Sequence, residues 1–334
     1  MSRVAFVTGG TGFVGGHLIE MLVKDGWQVS ALHRPSSDPS RLITLGAIPV
    51  PGVLHQLESM VEAVPMDCDA IFHIAGNTSM WRKKNAEQNR DNVGGTHCMI
   101  GAALQKHAKR FIHTSSISAY GMHRGVINEQ TRANAGDGSI NYGRSKFLAE
   151  MEVRKGIEHG LNAVILNPCG IIGAGDTHNW SQMIALIDQG KLPGVPPGGG
   201  NFCDVREVAR AHISALERGR CGENYILAGV EASFLELART ISHLLGKPAP
   251  RRTMPKAAIQ LAGKVYPLLA SFSGEEPSIT PEKVAMMTNR VRADGNKAVC
   301  ELGFYDQIQL AEMLESCIHW MRQTGRLETR KIAG

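Results

Sequence analysis

Short hydrophobic runs alternate with amphipathic segments along the first half of the chain. The run Val4–Thr8 is β-branched and aromatic, which is typical of a strand buried on both faces. The apolar positions between Phe13 and Val23 recur at the spacing of a helix. The same alternation predicts further strands at 28–32, 47–50, 69–75, 110–114 and 163–166, and helices at 54–64, 85–108 and 141–159.

This order of elements predicts an α/β fold, a Rossmann-type doubly wound parallel sheet with helices on both faces. Right-handed crossovers bring the carboxyl ends of the strands to one edge, where ligands bind. Beyond Pro168 the alternation stops. Loops at 173–176 and 193–200, a helix at 204–218, a strand at 225–227 and further helices predict a smaller, mostly helical C-terminal substrate lobe.

We therefore assign residues 1–170, together with about 201–220, to a dinucleotide-binding domain. Residues 171–200 and 221–330 are assigned to the substrate lobe, and we expect the substrate cleft between the two parts. The apolar segment Ala257–Phe272, interrupted by Lys264 and Pro267, predicts a helix. It could pack inside the lobe, cover an apolar substrate or touch a membrane surface.

A glycine cluster separates the first strand from the first helix. Gly9, Gly12 and Gly15 are spaced by two residues, and Gly10 begins the pattern G-x-G-x-x-G with the last two of them. Backbone N–H groups and a helix N-terminus meet at such a turn and attract a pyrophosphate. A glycine turn without a ligand is the alternative, which the flanking strand and helix disfavour.

Composition removes several classes of protein. The chain has 334 residues, 43% of them hydrophobic, and lacks an apolar run of about 18 residues, so we expect no stable membrane insertion. The net charge of +5 is mild and the basic residues are scattered, so no nucleic-acid partner is indicated. The seven cysteines lack paired spacing, which predicts reduced thiols and a cytoplasmic chain. The sequence lacks a metal-ligand pattern, so we expect no metal. The first strand starts at residue 4, so we expect no signal peptide.

The end of the second strand bears on the choice of dinucleotide. NAD sites of this kind carry an acidic residue about 20 residues after the glycines, where it holds the ribose hydroxyls. This chain has His33 and Arg34 instead. Arginine pairs with a 2′-phosphate through planar, charge-assisted contacts, which favours NADP(H) over NAD(H). A solvated surface arginine is the alternative.

Three polar groups are candidates for chemistry. Tyr142 and Lys146 lie four residues apart in a predicted helix and therefore share a face. Ser115 and Ser116 follow a predicted strand and therefore lie at the ligand edge. A phenol with a pKa of about 10 is a poor acid–base catalyst at neutral pH, and a neighbouring ammonium favours its phenolate form. A serine hydroxyl can hold the reacting oxygen in line.

These motifs and several others occur together in one order. They lie in the segments Thr8–Gly15, Asp69–Gly76, Asn92–Thr96, Thr114–Gly121, Tyr142–Glu150, Asn167–Pro168, Gly173–Asp176 and Asp204–Ala209. On these segments the chain resembles the extended short-chain dehydrogenase/reductase (epimerase/dehydratase) superfamily over nearly its whole length. Within it, the chain is similar to dihydroflavonol-4-reductase-like proteins and to bacterial hopanoid-associated epimerase-like proteins.

The resemblance implies a role for each matched residue. Ser116, rather than Ser115, would be the catalytic serine, with Tyr142 as the acid/base and Lys146 also on the nicotinamide ribose. The implied cofactor contacts are Gly9, Thr11, Gly12, Phe13, Val14, Gly15, Arg34, Ala75, Gly76, Asn92, Thr114, Tyr142, Lys146 and Pro168. We assign substrate contacts to Ser116, Asn179 and Trp81, although Trp81 could equally be a packed loop anchor. The family also implies a homodimer formed through the helices at 85–108 and 141–159.

Two departures from the family pattern bear on the ligands. Relatives commonly end the third strand with an aspartate that touches adenine, whereas this chain has Val50–Val53 there, with Pro51 and Gly52 inside it. Many nucleotide-sugar epimerases carry an arginine shortly before the segment that matches Asp204, and this chain has none there. A substrate diphosphate would then lose a bidentate partner, unless Arg290 or Arg292 supplies it.

Three functions are therefore compared. The first is an NADP(H)-dependent oxidoreductase that interconverts a ketone and a secondary alcohol on a fairly apolar small molecule. The second is a nucleotide-sugar epimerase or dehydratase that uses the same three groups and retains its cofactor. The third is a non-enzymatic dinucleotide sensor, which the presence of Ser116, Tyr142 and Lys146 disfavours.

Overall fold

The computed structural model describes residues 2–261 and 279–327, and the chain divides into two compact units. The first unit comprises the chain up to Cys169 together with Arg206–Leu227 and Ala293–Tyr305. The second comprises Gly170–Val205 and the described residues within Ala228–Arg292 and beyond Asp306. The strands are β1 Val4–Thr8, β2 Gln28–His33, β3 Ile48–Pro51, β4 Ala70–His73, β5 Phe111–Thr114, β6 Val126–Ile127, β7 Ala163–Pro168, β8 Gly170–Ile172, β9 Gly199–Asp204, β10 Asn224–Leu227, β11 Val230–Ser233 and β12 Arg292–Ala293.

Seven parallel strands form the sheet of the first unit in the order β3-β2-β1-β4-β5-β7-β10. The central strands are continuous apolar runs because both faces of the sheet are covered. Phe6, Ile71, Phe111 and Ile165 lie in one core cluster and are completely buried. The order reverses between β1 and β4, where ligands bind in sheets of this topology. The predicted Rossmann-type fold is confirmed.

Helices cover this sheet and make up much of the second unit. The α-helices are Phe13–Lys24, Ser40–Thr44, Leu57–Ala63, Asn85–Asn89, Gly95–Gln105, Asn141–Glu158, Trp180–Asp188, Val205–Arg218, Phe234–Leu245, Pro281–Met287, Asn296–Leu302 and Leu310–Gln323. In the second unit the strands β8, β9 and β11 form a small sheet, and Phe202 packs with Leu237 and Leu314 in a separate core. Within the described ranges, no helix combines the length and the apolar character needed to span a membrane.

Two predicted elements differ in the structure. The helix predicted at 85–108 is interrupted by a π-helical turn at Arg90–Gly94, and it ends at Gln105. The loop predicted at 193–200 is wrong at its end, because Gly199 and Gly200 belong to β9. Gly199 is needed in that strand because a Cβ there would lie 2.5 Å from the carbonyl oxygen of Ala232 on β11. Residues 262–272 of the predicted helix Ala257–Phe272 lie outside the described residues.

The third strand illustrates how tertiary position overrides a local signal. The segment β3 contains Pro49 and Pro51, which cannot donate to a strand ladder. It nevertheless pairs in parallel with β2, with Pro51 opposite His33. The strand lies at the edge of the sheet, where proline is tolerated because one side needs no partner. The strand predicted at 47–50 is thus present as an edge strand.

Candidate active site

The glycine turn after β1 is shaped to receive an anion. Gly9 has φ of +75°, a left-handed conformation, and a Cβ there would lie 2.7 Å from the backbone nitrogen of Ala75. The helix Phe13–Lys24 starts directly after its N-cap residue Gly12, which has no side chain to bond the first N–H groups. A Cβ on Gly15 would collide with the carbonyl oxygen of Gly9. The turn therefore fits the pyrophosphate of a dinucleotide, which binds N–H groups at a helix N-terminus.

A second arginine lies at this turn. Asp38 accepts hydrogen bonds from the backbone nitrogen and the hydroxyl of Ser40, which starts the short helix Ser40–Thr44. That helix carries Arg41, whose Nη1 donates to the carbonyl oxygen of Thr11 at 2.8 Å. The other guanidinium nitrogen would lie 2.7 Å from a Cβ on Gly16. Arg34 is exposed in the turn after β2, where Ser37 donates to its carbonyl oxygen from both its backbone nitrogen and its hydroxyl.

A buried chain of hydrogen bonds connects β1 to the next part of the site. The Ala75 nitrogen donates to the Thr8 hydroxyl at 3.1 Å, and that hydroxyl lies 2.8 Å from Nδ1 of His73. Nε2 of His73 lies 3.0 Å from the hydroxyl of Thr96, which donates to the carbonyl oxygen of Asn92. Since Thr96 uses its proton on Asn92, Nε2 of His73 donates to Thr96. Burial lowers the pKa of His73 to about 3, so the ring is neutral and its Nδ1 accepts from Thr8.

Asn92 lies in the π-helical turn and holds the loop after β4. Its Oδ1 accepts from the backbone nitrogen of Asn77 at 2.7 Å, and its Nδ2 donates to the carbonyl oxygen of Asn77 and to Ser145. A Cβ on Gly76 would lie 3.0 Å from Nζ of Lys146 and 3.7 Å from Oδ1 of Asn92. A side chain at position 76 would therefore crowd Lys146. π-Helical turns such as the one that carries Asn92 are frequent at functional sites.

The helix Asn141–Glu158 brings Tyr142 to Ser116. The Ser116 hydroxyl is near enough to the phenol to lower its pKa, and it accepts a hydrogen bond from the backbone nitrogen of Ser118 at 3.1 Å. Burial raises the pKa of Tyr142 above its ordinary value, and the nearby Ser116 hydroxyl acts in the opposite direction. The phenol therefore keeps its proton at neutral pH, which suits it to protonate a carbonyl oxygen.

Lys146 lies one turn further along the same face. Its Nζ donates to the carbonyl oxygen of Thr114 at 3.0 Å, and its side chain is buried. Burial lowers the pKa of Lys146 to about 8, and the charge of Glu150 opposes that effect. An amine with this pKa is mostly protonated at neutral pH, so a positive charge lies on the helix face that carries Tyr142.

Ser115 points away from this group although it precedes Ser116. Its hydroxyl donates to Oε1 of Glu150 at 2.5 Å, inside the protein. Two asparagines join the same carboxylate, Asn167 at 2.7 Å and Asn224 at 3.0 Å. The geometry therefore separates two neighbouring serines, one facing Tyr142 and the other facing a buried acid.

Two further histidines are buried near these strands. Nδ1 of His212 donates to the carbonyl oxygen of Val208 at 2.7 Å, so its Nε2 accepts from the Thr114 hydroxyl at 2.7 Å. Burial lowers the pKa of His212 to about 4. His113 stacks on His73 with ring centroids 5.5 Å apart, and neither of its nitrogens has a hydrogen-bond partner among the described residues. Burial holds the pKa of His113 well below its ordinary value.

The remaining predicted site residues lie outside this contact network. Pro168 is buried at the end of β7, opposite Leu227 of β10. Trp81 is half-buried after the loop that Asn77 begins, with Nζ of Lys83 5.1 Å from its ring centroid. In the second unit, Asn179 is exposed at the start of the helix Trp180–Asp188, and its backbone nitrogen donates to the buried carboxylate of Asp176.

The second unit also contains the two arginines considered for a diphosphate. Nε of Arg290 lies 2.9 Å from Oε1 of Glu231, and Nε of Arg292 lies 3.2 Å from Oε2 of the same residue. One carboxylate therefore compensates part of the charge of both guanidinium groups. An anionic substrate would have to compete with Glu231 for them.

Sequence reasoning missed three residues of the site. Arg41 gave no signal, because its approach to Thr11 depends on the turn at Asp38. Glu150 and Asn167 lay within recognised segments but received no role. The spacing from Tyr142 through Lys146 to Glu150, two steps of four, places all three on one helix face and could have identified the acid.

Comparison with known proteins agrees with this geometry. A model of the NAD dependent epimerase/dehydratase family matches residues 5–228. A Synechocystis sp. protein that carries the provisional name dihydroflavonol 4-reductase is 31% identical, over 99% of this chain and 98% of its own. The 4-hydroxy-2-methyl-3-oxo-4-farnesyl-3,4-dihydroquinoline-1-oxide ketoreductase of Stigmatella aurantiaca is 29% identical over 96% of each chain. The crystal structure of gox2253 superposes with a TM-score of 0.85 at 31% identity, covering 98% of this chain and all of that one.

Proposed function

The chain belongs to the NAD dependent epimerase/dehydratase family, and on that basis we propose that it uses NADP(H) to reduce a ketone on a fairly apolar small molecule. It is an NAD(P)-dependent oxidoreductase of the extended short-chain dehydrogenase/reductase type. The reverse reaction, oxidation of the matching secondary alcohol, uses the same groups. The observation that carries the proposal is the convergence of Ser116 and Tyr142, with Lys146 on the same helix face as the phenol.

Each group has a distinct task in this proposal. A bound nicotinamide supplies the hydride during reduction and accepts it during oxidation. Tyr142 gives its proton to the carbonyl oxygen, and Ser116 holds that oxygen through its hydroxyl. Lys146 stays charged, which stabilises the phenolate that remains, and Thr114 keeps its ammonium in place.

The choice of NADP(H) is supported by two arginines. Arg34 follows β2, the position at which NAD-binding chains carry an acid, and Arg41 contacts the glycine turn through Thr11. Two guanidinium groups on this side of the turn favour a 2′-phosphate, which accepts charge-assisted hydrogen bonds from them. We assign both arginines to that phosphate.

An uncharged, fairly apolar substrate is supported by the second unit and by one relative. Arg290 and Arg292 are both engaged with Glu231, which disfavours a substrate diphosphate. The Stigmatella aurantiaca ketoreductase is named for a molecule with an oxo group and a farnesyl chain. A nucleotide-sugar epimerase or dehydratase is the second candidate, because the family name includes both activities. Reductase relatives disfavour a non-enzymatic sensor.

The test is a panel of ketones and secondary alcohols followed by the absorbance of NADPH, run beside NADH. We expect NADPH to be consumed in step with alcohol formation, and apolar cyclic or prenylated ketones to react faster than sugars. Cofactor that stays bound through purification, together with epimerisation of a nucleotide sugar and no net redox change, would instead establish the second candidate.

A further inference from the structure

A buried carboxylate lies one helical turn beyond Lys146. Glu150 is 6% exposed and Lys146 is 5% exposed. The partners of Glu150 are the Ser115 hydroxyl at 2.5 Å and Nδ2 of Asn167 at 2.7 Å on Oε1, and Nδ2 of Asn224 at 3.0 Å on Oε2. Burial raises the pKa of Glu150, and these three contacts lower it, because each donates to the acid and so favours its carboxylate form.

The same contacts reach the serine of the site. Asn167 donates through one Nδ2 both to Glu150 and to the carbonyl oxygen of Ser116, the latter at 3.1 Å. Ser115 is the chain neighbour of Ser116 and is held by Glu150 directly. The carboxylate therefore ties the strand end that bears Ser116 to the helix that bears Tyr142.

We propose that Glu150 is a positioning residue for this site, which orients Ser116 through Ser115 and Asn167 and keeps Lys146 charged beside Tyr142. The inference rests on the proposed function. It adds a fourth member to the three groups already described and gives the buried acid a task in the reaction. Burying a carboxylate costs free energy, since the buried charge loses its hydration. A role in positioning the site accounts for its presence here.

Several other charged or titratable groups face Glu150 and Lys146. Burial raises the pKa of Glu150, and the charge of Arg154, on the same helix, acts in the opposite direction. Burial raises the pKa of Tyr120, which lies in the turn after β5, and the charge of Glu150 raises it further. His73 and His113, on β4 and β5, are neutral, and the charge of Lys146 helps to keep them so. Glu150 is therefore the acid that raises the pKa of Lys146.

The experiment replaces the charge and keeps the shape, with Glu150→Gln. Lys146 should then lose its proton at lower pH, and the phenolate of Tyr142 should lose a neighbouring positive charge. We expect the pH at which alcohol oxidation reaches half its plateau to rise by about one unit. If the carboxylate acted directly on the phenol, its removal would lower that pH, and either a fall or no change would overturn the proposal.

A matched control and a measurement without turnover complete the test. Glu152→Gln makes the same change on the same helix, where Glu152 pairs with Lys155 and His97, and should leave the pH profile unchanged. In the absence of nucleotide, the near-ultraviolet phenolate absorbance of each protein, minus that of its Tyr142→Phe counterpart, reports the titration of Tyr142. That titration should also move upward in Glu150→Gln, and a downward or absent shift would overturn the proposal.

Two variants keep the test decisive if Glu150→Gln does not fold. Glu150→Asp retains the charge, so its pH profile should match the wild type, and a rise of a full unit would contradict the inference. Ser115→Ala keeps the charge and removes one hydrogen bond, so kcat should fall several-fold with the pH profile unchanged, and Ser115→Thr should restore it. Full activity in Tyr142→Phe would reject the proposed function itself, whereas an inactive Tyr142→Phe beside an unshifted Glu150→Gln rejects only this inference.

Discussion

Nζ of Lys146 donates a hydrogen bond of 3.0 Å to the carbonyl oxygen of Thr114. The ammonium group of this helix is therefore bound to the strand that leads into Ser116. This contact joins the two elements whose side chains meet as Ser116 and Tyr142. The phenol, the hydroxyl and the amine are thereby held by backbone and buried contacts before any substrate arrives. Such preorganisation is what acid–base catalysis requires of its groups.

Removing the phenolic oxygen should remove most of the chemistry. Tyr142→Phe is expected to lower kcat for ketone reduction by about 100-fold or more, because a positioned proton donor contributes about that factor. NADPH binding should remain, since the glycine turn is untouched. Steady-state kinetics and a fluorescence titration of NADPH measure the two effects. Tyr305→Phe, at an exposed position, is the matched control and should behave as the wild type.

The two arginines at the glycine turn should select the phosphorylated cofactor. Arg34→Ala and Arg41→Ala should each weaken NADPH binding by about 10- to 100-fold, because hydrogen bonds to a charged group contribute about 1.5–3 kcal/mol. NADH binding should change little. Dissociation constants for both nucleotides measure the split, with Arg132→Ala on an exposed loop as control. Equal losses for NADPH and NADH would show that the arginines do not contact the 2′-phosphate.

The close approach inside the glycine turn should be intolerant of a methyl group. Gly15→Ala would drive a Cβ into the carbonyl oxygen of Gly9, so we expect a loss of stability of about 1–3 kcal/mol and a larger loss of nucleotide affinity. Gly94→Ala is the matched control, because nothing lies within 4 Å of its Cβ position. Urea denaturation and nucleotide titration of both proteins check this. Comparable losses in the two variants would contradict the steric argument.

Three buried neutral histidines should make the protein sensitive to acid. The pKa of His73 is about 3 and that of His212 about 4, and the pKa of His113 is also well below the usual value. The unfolded chain binds these protons below about pH 6.5. The unfolding free energy is therefore undiminished above pH 6.5 and falls towards pH 4, by about 1.4 kcal/mol per pH unit for each histidine.

His113→Phe isolates one of these contributions. Between pH 6 and pH 4.5, it should reduce the dependence of the unfolding free energy on pH by the contribution of one bound proton. It should not destabilise the protein at pH 7, since the His113 nitrogens have no hydrogen-bond partner within the described part of the chain. Urea denaturation across this pH range gives the slope. His159→Gln, at an exposed position, should leave the slope unchanged. A slope that His113→Phe does not alter would show that the ring is already charged in the folded state.

The sheet and its ligand edge could be predicted from the sequence because their signals are local. Buried parallel strands such as Ala163–Pro168 are continuous apolar runs. The glycine pattern marks the turn between the first strand and the first helix. The positions of Tyr142 and Lys146 on one face follow from helical spacing alone. These parts needed no knowledge of distant contacts.

The parts that sequence reasoning missed depend on contacts between distant segments. Arg41 reaches Thr11 across 30 residues of chain, and Asn224 reaches Glu150 across 74. Gly199 looked like a turn residue, but it lies in a strand because the backbone of Ala232 approaches it closely. In each case a neighbour on another element decides the outcome, and periodicity along the chain carries no record of that neighbour.

The geometry of the site depends on the number of residues in the π-helical turn at Arg90–Gly94. Such a turn holds one residue more than a regular helix along the same path. Deleting Val93 would remove that extra residue and restore a regular ladder, so the side chains of the turn would change direction and the Asn92 amide would leave Asn77. A single-residue deletion there would disable the enzyme while leaving every proposed catalytic side chain unchanged.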